Sequence, residues 1–134
     1  MMKRILTIFF FLAGFGTLVL LGLRINLINN RTSVEVNEKV IENSIFSKSS
    51  KNEAKADFLI KNVGKSSLII YKINTDCTCT LYRLKKDIIP PNDSTIVTLI
   101  VDKSFEGHFS HFAEVYCNSE NSPIFLLFNG TIIP

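Results

Sequence analysis

Reactive side chains are scarce in this 134-residue sequence, which has two histidines, His108 and His111, and three cysteines, Cys77, Cys79 and Cys117. Neither histidine sits in a motif, so no grouping of nucleophile, base and acid can be assembled, and no residue is assigned a catalytic role. Glu106 and Glu114 are scattered charges with no partner in the pattern. Three cysteines are too few for the disulfide framework of a small exported domain, and the odd count leaves at least one thiol without an intrachain partner. An excess of charge is also missing. Once Lys3 and Arg4 are set aside, the 15 basic side chains fall to 13 against 12 acidic ones. So flat a balance excludes nucleic acid as a partner, because its binding needs clustered cations. No internal repeat is visible, no cofactor is called for, and no helical periodicity occurs beyond residue 23.

Charge is wholly absent from residues 5 to 23, ILTIFFFLAGFGTLVLLGL, between the basic start Met1 to Arg4 and Arg24. A run of that length can span a bilayer, which takes ~20 residues. A cleaved signal peptide has an apolar region of roughly 7 to 15 residues and small residues at its cleavage site. Here the run ends Leu20, Leu21, Gly22, Leu23, and no cysteine follows to accept a lipid. The expectation is an uncleaved, single-pass anchor in the inner membrane. Lys3 and Arg4 place the N-terminus inside and the following domain on the periplasmic side. Residues 24 to 33, RINLINNRTS, are polar and aperiodic and read as a tether.

From residue 34 onward the pattern is β throughout. Val34, Val36, Val40 and Ile41 suggest a short strand over 34 to 42, and the Ser-, Lys- and Asn-rich stretch 43 to 53 reads as a loop. In residues 56 to 62, Ala56, Phe58 and Ile60 alternate with Asp57 and Lys61, the period of a strand covering a core. Asn62, Val63 and Gly64 read as a hairpin turn, with Gly64 supplying positive φ. That turn leads into Ser66 to Thr80, SSLIIYKINTDCTCT, a strand ending in two cysteines. Arg83, Lys85 and Lys86 mark 81 to 89 as a solvated edge, which Pro90 and Pro91 stop. Thr95 to Val101 is apolar on both faces and therefore central. After a turn at Gly107, Phe109, Ala113, Val115 and Cys117 share one phase of the next strand, with Phe112 and Tyr116 in the other. A second sheet is expected to cover those two aromatics, the alternative being an exposed contact patch. Residues 123 to 133 complete about seven strands, spaced as in a β-sandwich.

Three readings compete for Cys77 and Cys79. On a regular strand both thiols face one side with Cα atoms roughly 6 to 7 Å apart, at the limit of disulfide reach. They can form a redox disulfide, hold a soft metal such as Cu(I) or Zn(II), or simply pack or form a structural disulfide at a strand end. A closed zinc site wants four ligands and this pair supplies two. His108 and His111 are three apart and point to opposite faces, so both cannot complete it. Cys117 reads as a core thiol. Sequons at Asn30, Asn92 and Asn129 are what chance gives in a chain this rich in Asn and Ser.

The order Asn62-x-Gly64, then Cys77-Thr78-Cys79-Thr80, Pro90-Pro91, Gly107, Asn118 and Gly130 resembles the bacterial domain-of-unknown-function family 1573 over residues 54 to 133. The resemblance implies an exported immunoglobulin-like sandwich, similar to abnormal-spindle and hydin modules and often membrane-anchored. It carries over no catalytic residue. Thr78 stands where glycine is common in that pattern, and Asn92 stands where glycine usually follows the prolines. The reading is therefore an all-β, immunoglobulin-like sandwich at 34 to 134 behind a single transmembrane helix. It acts as a non-catalytic binding or assembly module for an envelope protein. The thiol-redox or metal-handling role of Cys77 and Cys79 is the alternative. The expected contact surfaces are the edge at Arg83 to Lys86 and the loops at Cys77 to Thr80 and Glu120 to Ser122.

Overall fold

The computed structural model describes residues 31–134. The expected anchor, most of the tether and the Asn30 sequon lie outside the described residues. Among those residues no helix is long and apolar enough to cross a membrane.

Nine strands follow one another: β1 (Val34–Val36), β2 (Val40–Ser47), β3 (Ala54–Asn62), β4 (Leu68–Thr75), β5 (Thr80–Leu84), β6 (Ile88–Ile89), β7 (Ser94–Val101), β8 (Gly107–Cys117) and β9 (Ile124–Ile133). They form a four-stranded sheet, β1-β3-β7-β5, and a five-stranded sheet, β2-β9-β8-β4-β6. Inward residues of both sheets meet in one core. Phe58 and Ile60 of β3 and Val97 and Leu99 of β7 join Leu68 of β4, Val115 of β8, and Leu126 and Phe128 of β9. All-β content, two sheets and a shared apolar core make this a β-sandwich. As the alternation anticipated, β7 is central, and β8 buries Phe109, Ala113, Val115 and Cys117.

Nine strands replace the expected seven because two stretches change sheets midway. β1 pairs with β3, whereas β2 pairs with β9 in parallel. Likewise β5 pairs with β7, whereas β6 pairs with β4. Each crossing cuts a continuous apolar stretch into two ladders. The loop expected at 43 to 53 is strand as far as Ser47. Asn43 adopts φ 57° and the register slips between Ile41 and Ser44, and this bulge hides the alternation by which a strand is read. Phe46, in that supposed loop, packs edge-on against Phe128 with ring centroids 5.9 Å apart.

The turn after Asn62 is not a hairpin, because β3 and β4 lie in different sheets. Gly64 does not take positive φ either; among the described glycines Gly107 does, at 121°. What demands glycine at position 64 is proximity. An added Cβ would lie 2.6 Å from the Ser33 amide nitrogen and would overlap Thr32 Oγ1. The strand expected to run through Thr80 ends at Thr75, leaving both paired cysteines in the β4–β5 connection. Among the described residues no second sheet covers Phe112. It is 40% exposed on the outer face, its ring centroid 6.5 Å from that of Phe125, itself 56% exposed. Tyr116 is half-buried on the same face and donates to Glu114 Oε2 at 2.9 Å. That hydrogen bond, followed by burial and the carboxylate's charge, raises the phenol pKa.

Candidate functional site

Four of the motif residues, Asn62, Gly64, Pro90 and Pro91, build one joint around a buried side chain. The Asn62 side chain is fully buried. Its Oδ1 accepts from Thr32 Oγ1 at 2.7 Å and from the Gly64 amide at 3.1 Å, and its Nδ2 donates to the carbonyls of Ser66 at 2.8 Å and Ile89 at 2.9 Å. The Asn62 backbone holds the proline turn from both sides, donating to Asp93 O and accepting from Asn92 N, each at 2.9 Å. That turn is closed by Asp93 N donating to Pro90 O at 3.2 Å. Pro91 occupies its second position, and Asn92, with φ 64°, its third. Positive φ at the third position is where a proline turn of this type calls for glycine or asparagine, so the departure at Asn92 keeps the geometry. Asn118 works similarly: Oδ1 accepts from Ile69 N at 2.8 Å and Nδ2 donates to Ser67 O at 2.9 Å. Gly130 lies where a Cβ would meet Phe109 Cζ and Ser44 O, each at 2.6 Å. These residues hold strands together, and their side-chain hydrogen bonds described above go to backbone apart from the one from Thr32 to Asn62.

A second cluster is different in kind. Cys77 and Cys79 are joined as a disulfide with Cα atoms 5.3 Å apart. That is closer than a regular strand would place them, because Thr78 stands in a turn rather than in a ladder. Thr75 Oγ1 and Thr80 N both donate to Cys77 O at 3.2 Å, which tightens the bend. The Cys79 amide donates to Cys77 Sγ at 3.0 Å, and Thr80 Oγ1 lies 3.9 Å from both sulfurs. Across from the loop, on the inward phase of β8, stands His111. Its Nε2 is 3.6 Å from Cys79 Sγ, and its Nδ1 is 2.9 Å from Asp76 Oδ2. The His111 ring stacks on Phe109, centroids 5.9 Å apart and planes 18° apart. Its side chain is 15% exposed, enclosed enough to be fixed and open enough to be reached.

The strand register explains why these groups meet. β4 runs antiparallel to β8 with Thr75 opposite Ala113, so the next residue, Asp76, continues the pairing by donating its amide to Phe112 O at 3.1 Å. That places the Asp76 carboxylate beside His111 and the cysteine turn just beyond. The carboxylate lies within hydrogen-bond distance of Nδ1, which orients the ring with Nε2 toward the sulfurs. His111 and Asp76 escape a reading of spacing alone, since 35 residues separate them and only the β4–β8 register joins them. His108, in the opposite phase as expected, meets Thr131 Oγ1 at 2.8 Å and takes no part. Cys117 is a buried free thiol 3.2 Å from Ser119 Oγ, as expected of a core cysteine.

The fold is shared with proteins of low sequence identity. A protein of unknown function from Porphyromonas gingivalis W83 aligns with TM-score 0.60 at 16% identity, over 76% of this chain and 47% of that one, so this chain spans about half of that protein. The ASH/PapD-like domain 7 of human CEP192 gives TM-score 0.60 at 12% identity, covering 78% of this chain and 87% of the domain. The Vibrio cholerae VesB protease gives 0.50 at 10% identity, over 82% of this chain and 34% of the protease. No curated protein matches. At these identities the likeness is one of fold, and it is the immunoglobulin-like, PapD-like sandwich. The family model for the protein of unknown function DUF1573 matches residues 34–132, and the chain belongs to that family.

Proposed function

We propose that this domain is a non-catalytic binding or assembly module of the bacterial cell envelope. Residues 5 to 23 tether it at the extracytoplasmic face of the inner membrane, and it engages an envelope protein through strand β5. One observation carries the contact: among the described residues β5 is an edge strand paired with β7 alone, while Leu81 is 64% and Tyr82 46% exposed. An extended segment of a partner adds to such an edge as a further strand, main-chain hydrogen bonds giving affinity and side chains giving specificity. Two of the three cations near this edge are already engaged. Arg83 holds Glu53 with two hydrogen bonds of 2.7 and 2.9 Å, and Lys86 pairs with Asp93. That leaves Leu81 and Tyr82 as the outward chemistry of β5. A disulfide between Cys77 and Cys79 suits an oxidising compartment.

The test is a photo-crosslinking residue at Tyr82 in the full-length protein, in the cells that make it, with Phe125 labelled in parallel. A discrete adduct from Tyr82 is expected. Adducts from Phe125 alone, or none from either, would refute contact through the edge. A second reading, thiol-redox or soft-metal chemistry, is favoured by one arrangement: Cys79 Sγ faces a histidine nitrogen whose ring is held by a carboxylate.

A further inference from the structure

We propose that Cys77, Cys79 and His111 are the three ligands of a copper(I) site that opens when the Cys77–Cys79 disulfide is reduced, with Asp76 positioning His111. This rests on the second reading above and names its ligand. The two sulfurs and one imidazole nitrogen lie within 4.8 Å of one another, and all three residues are half-buried. For a trigonal cation with metal–sulfur near 2.3 Å and metal–nitrogen near 2.0 Å, the sulfur–nitrogen edge is roughly 3.7 Å. The Cys79 Sγ to His111 Nε2 distance is 3.6 Å. The imidazole thus stands where a ligand would, before any ion arrives.

Donor chemistry selects the cation. Two thiolates and an imidazole are soft donors that favour Cu(I) or Zn(II). A closed zinc site takes a fourth protein ligand, and the described residues bring three together, a number that suffices for Cu(I). Asp76 Oδ2, 2.9 Å from Nδ1, holds the His111 ring with Nε2 toward the sulfurs, the carboxylate–histidine arrangement that supports metal-bound imidazoles. Phe109 fixes the ring plane. The Cys79 amide and Thr80 hydroxyl, already directed at sulfur, offset thiolate charge.

The disulfide is the gate. A dithiol reductant transfers two electrons and two protons to the pair: the sulfur–sulfur bond breaks, Cys77 and Cys79 become thiols, and the reductant closes to its own disulfide. Cu(I) then replaces the thiol protons, two of which leave to solvent, and takes the Nε2 lone pair as its third bond. With the sulfurs bonded to each other, no thiolate exists and the site is closed.

The experiment uses the full-length chain in detergent, without oxygen, before and after reduction by dithiothreitol and removal of the reductant. Cu(I) is offered as its bicinchoninate complex, whose colour loss reports transfer. Reduced protein is expected to take one Cu(I) per chain with an ultraviolet thiolate-to-copper band, and oxidised protein none. His111→Ala should weaken binding at least tenfold and Asp76→Asn about tenfold at unchanged stoichiometry, while Cys117→Ser binds like wild type. Three free thiols after reduction without copper uptake would overturn the proposal and leave the thiol reading standing; one free thiol both before and after would overturn both. Equal uptake by oxidised protein, a His111→Ala affinity equal to wild type, or bound Zn(II) that Cu(I) cannot displace would each overturn it too. The comparison of oxidised with reduced wild type needs no variant to fold.

Discussion

Asn62 and His111 are both polar side chains on the inward phase of a core strand, and the protein uses them in opposite ways. Asn62 is fully buried and commits both amide atoms, three of its four hydrogen bonds going to backbone groups. His111 commits Nδ1 to Asp76 and leaves Nε2 against sulfur, at the partly open side of the core. A polar group whose valences are spent on backbone fixes a fold. One that keeps a ring nitrogen beside two sulfurs retains the capacity for chemistry. The family motif supplies Asn62 and the two cysteines alike, and spacing alone does not separate the two uses.

The sharpest way to test this contrast is to remove Asn62. Asn62→Ala removes the acceptor of the Thr32 hydroxyl and a donor from each of the Ser66 and Ile89 carbonyls in or near the core, while the Gly64 amide keeps Ser33 O, and buried groups left unpaired cost about 1–3 kcal/mol each. The expected loss is about 3 kcal/mol or more, read from the urea midpoint. Gly64→Val should follow at about 1–3 kcal/mol, because its side chain meets Ser33 and Thr32. A change below about 1 kcal/mol for Asn62→Ala would mean that this joint is not structural.

Next in size is the disulfide. Its closed loop is short, so the chain-entropy relation gives only about 1.5 kcal/mol for its removal. Replacing both cysteines by serine should therefore leave a folded domain whose unfolding midpoint falls less than that of Asn62→Ala. A loss as large as that of Asn62→Ala would make the cysteine turn a structural staple and erase the distinction drawn between the two clusters.

Much of this fold is legible in residue order, for reasons visible in individual strands. β3 alternates cleanly because it buries one face, and β7 is apolar on both faces and is paired on both sides, as a central strand is. β2 resists reading because Asn43 shifts its phase, and β4 hides a second register shift between Ile70 and Lys72 that leaves Lys72 outward and turns Ile73 inward. Sheet membership is harder still. The segment after Asn62 looks like a hairpin in one dimension, and only the partners of β4 show that it changes sheets. For the site, Cys77 and Cys79 stand out by spacing. The residues that give them chemical context come from strand pairing, which no local pattern encodes.

The smallest effect expected is one of pH, and it concerns the joint rather than the cluster. Asp93 closes the proline turn held by Asn62, and its carboxyl is held below the ordinary carboxylate range. The Lys86 ammonium is the main cause, followed by the Ser94 amide, which donates to Oδ1 at 2.7 Å. A carboxyl with a depressed folded-state pKa adds stability that is fully present above its unfolded pKa and is lost as pH falls through the folded one. The stability difference between wild type and Asp93→Asn should therefore be flat near neutrality and shrink as the solution is acidified below the ordinary carboxylate range. Because the pair is exposed, added salt should also reduce it. The amide oxygen introduced by Asp93→Asn can still accept from the Ser94 amide, which isolates the charge as the variable. A difference that does not depend on pH or salt would mean that Lys86 and Asp93 do not pair in solution. The proline turn would then be held by Asn62 alone, widening the gap between this joint and the cluster at His111.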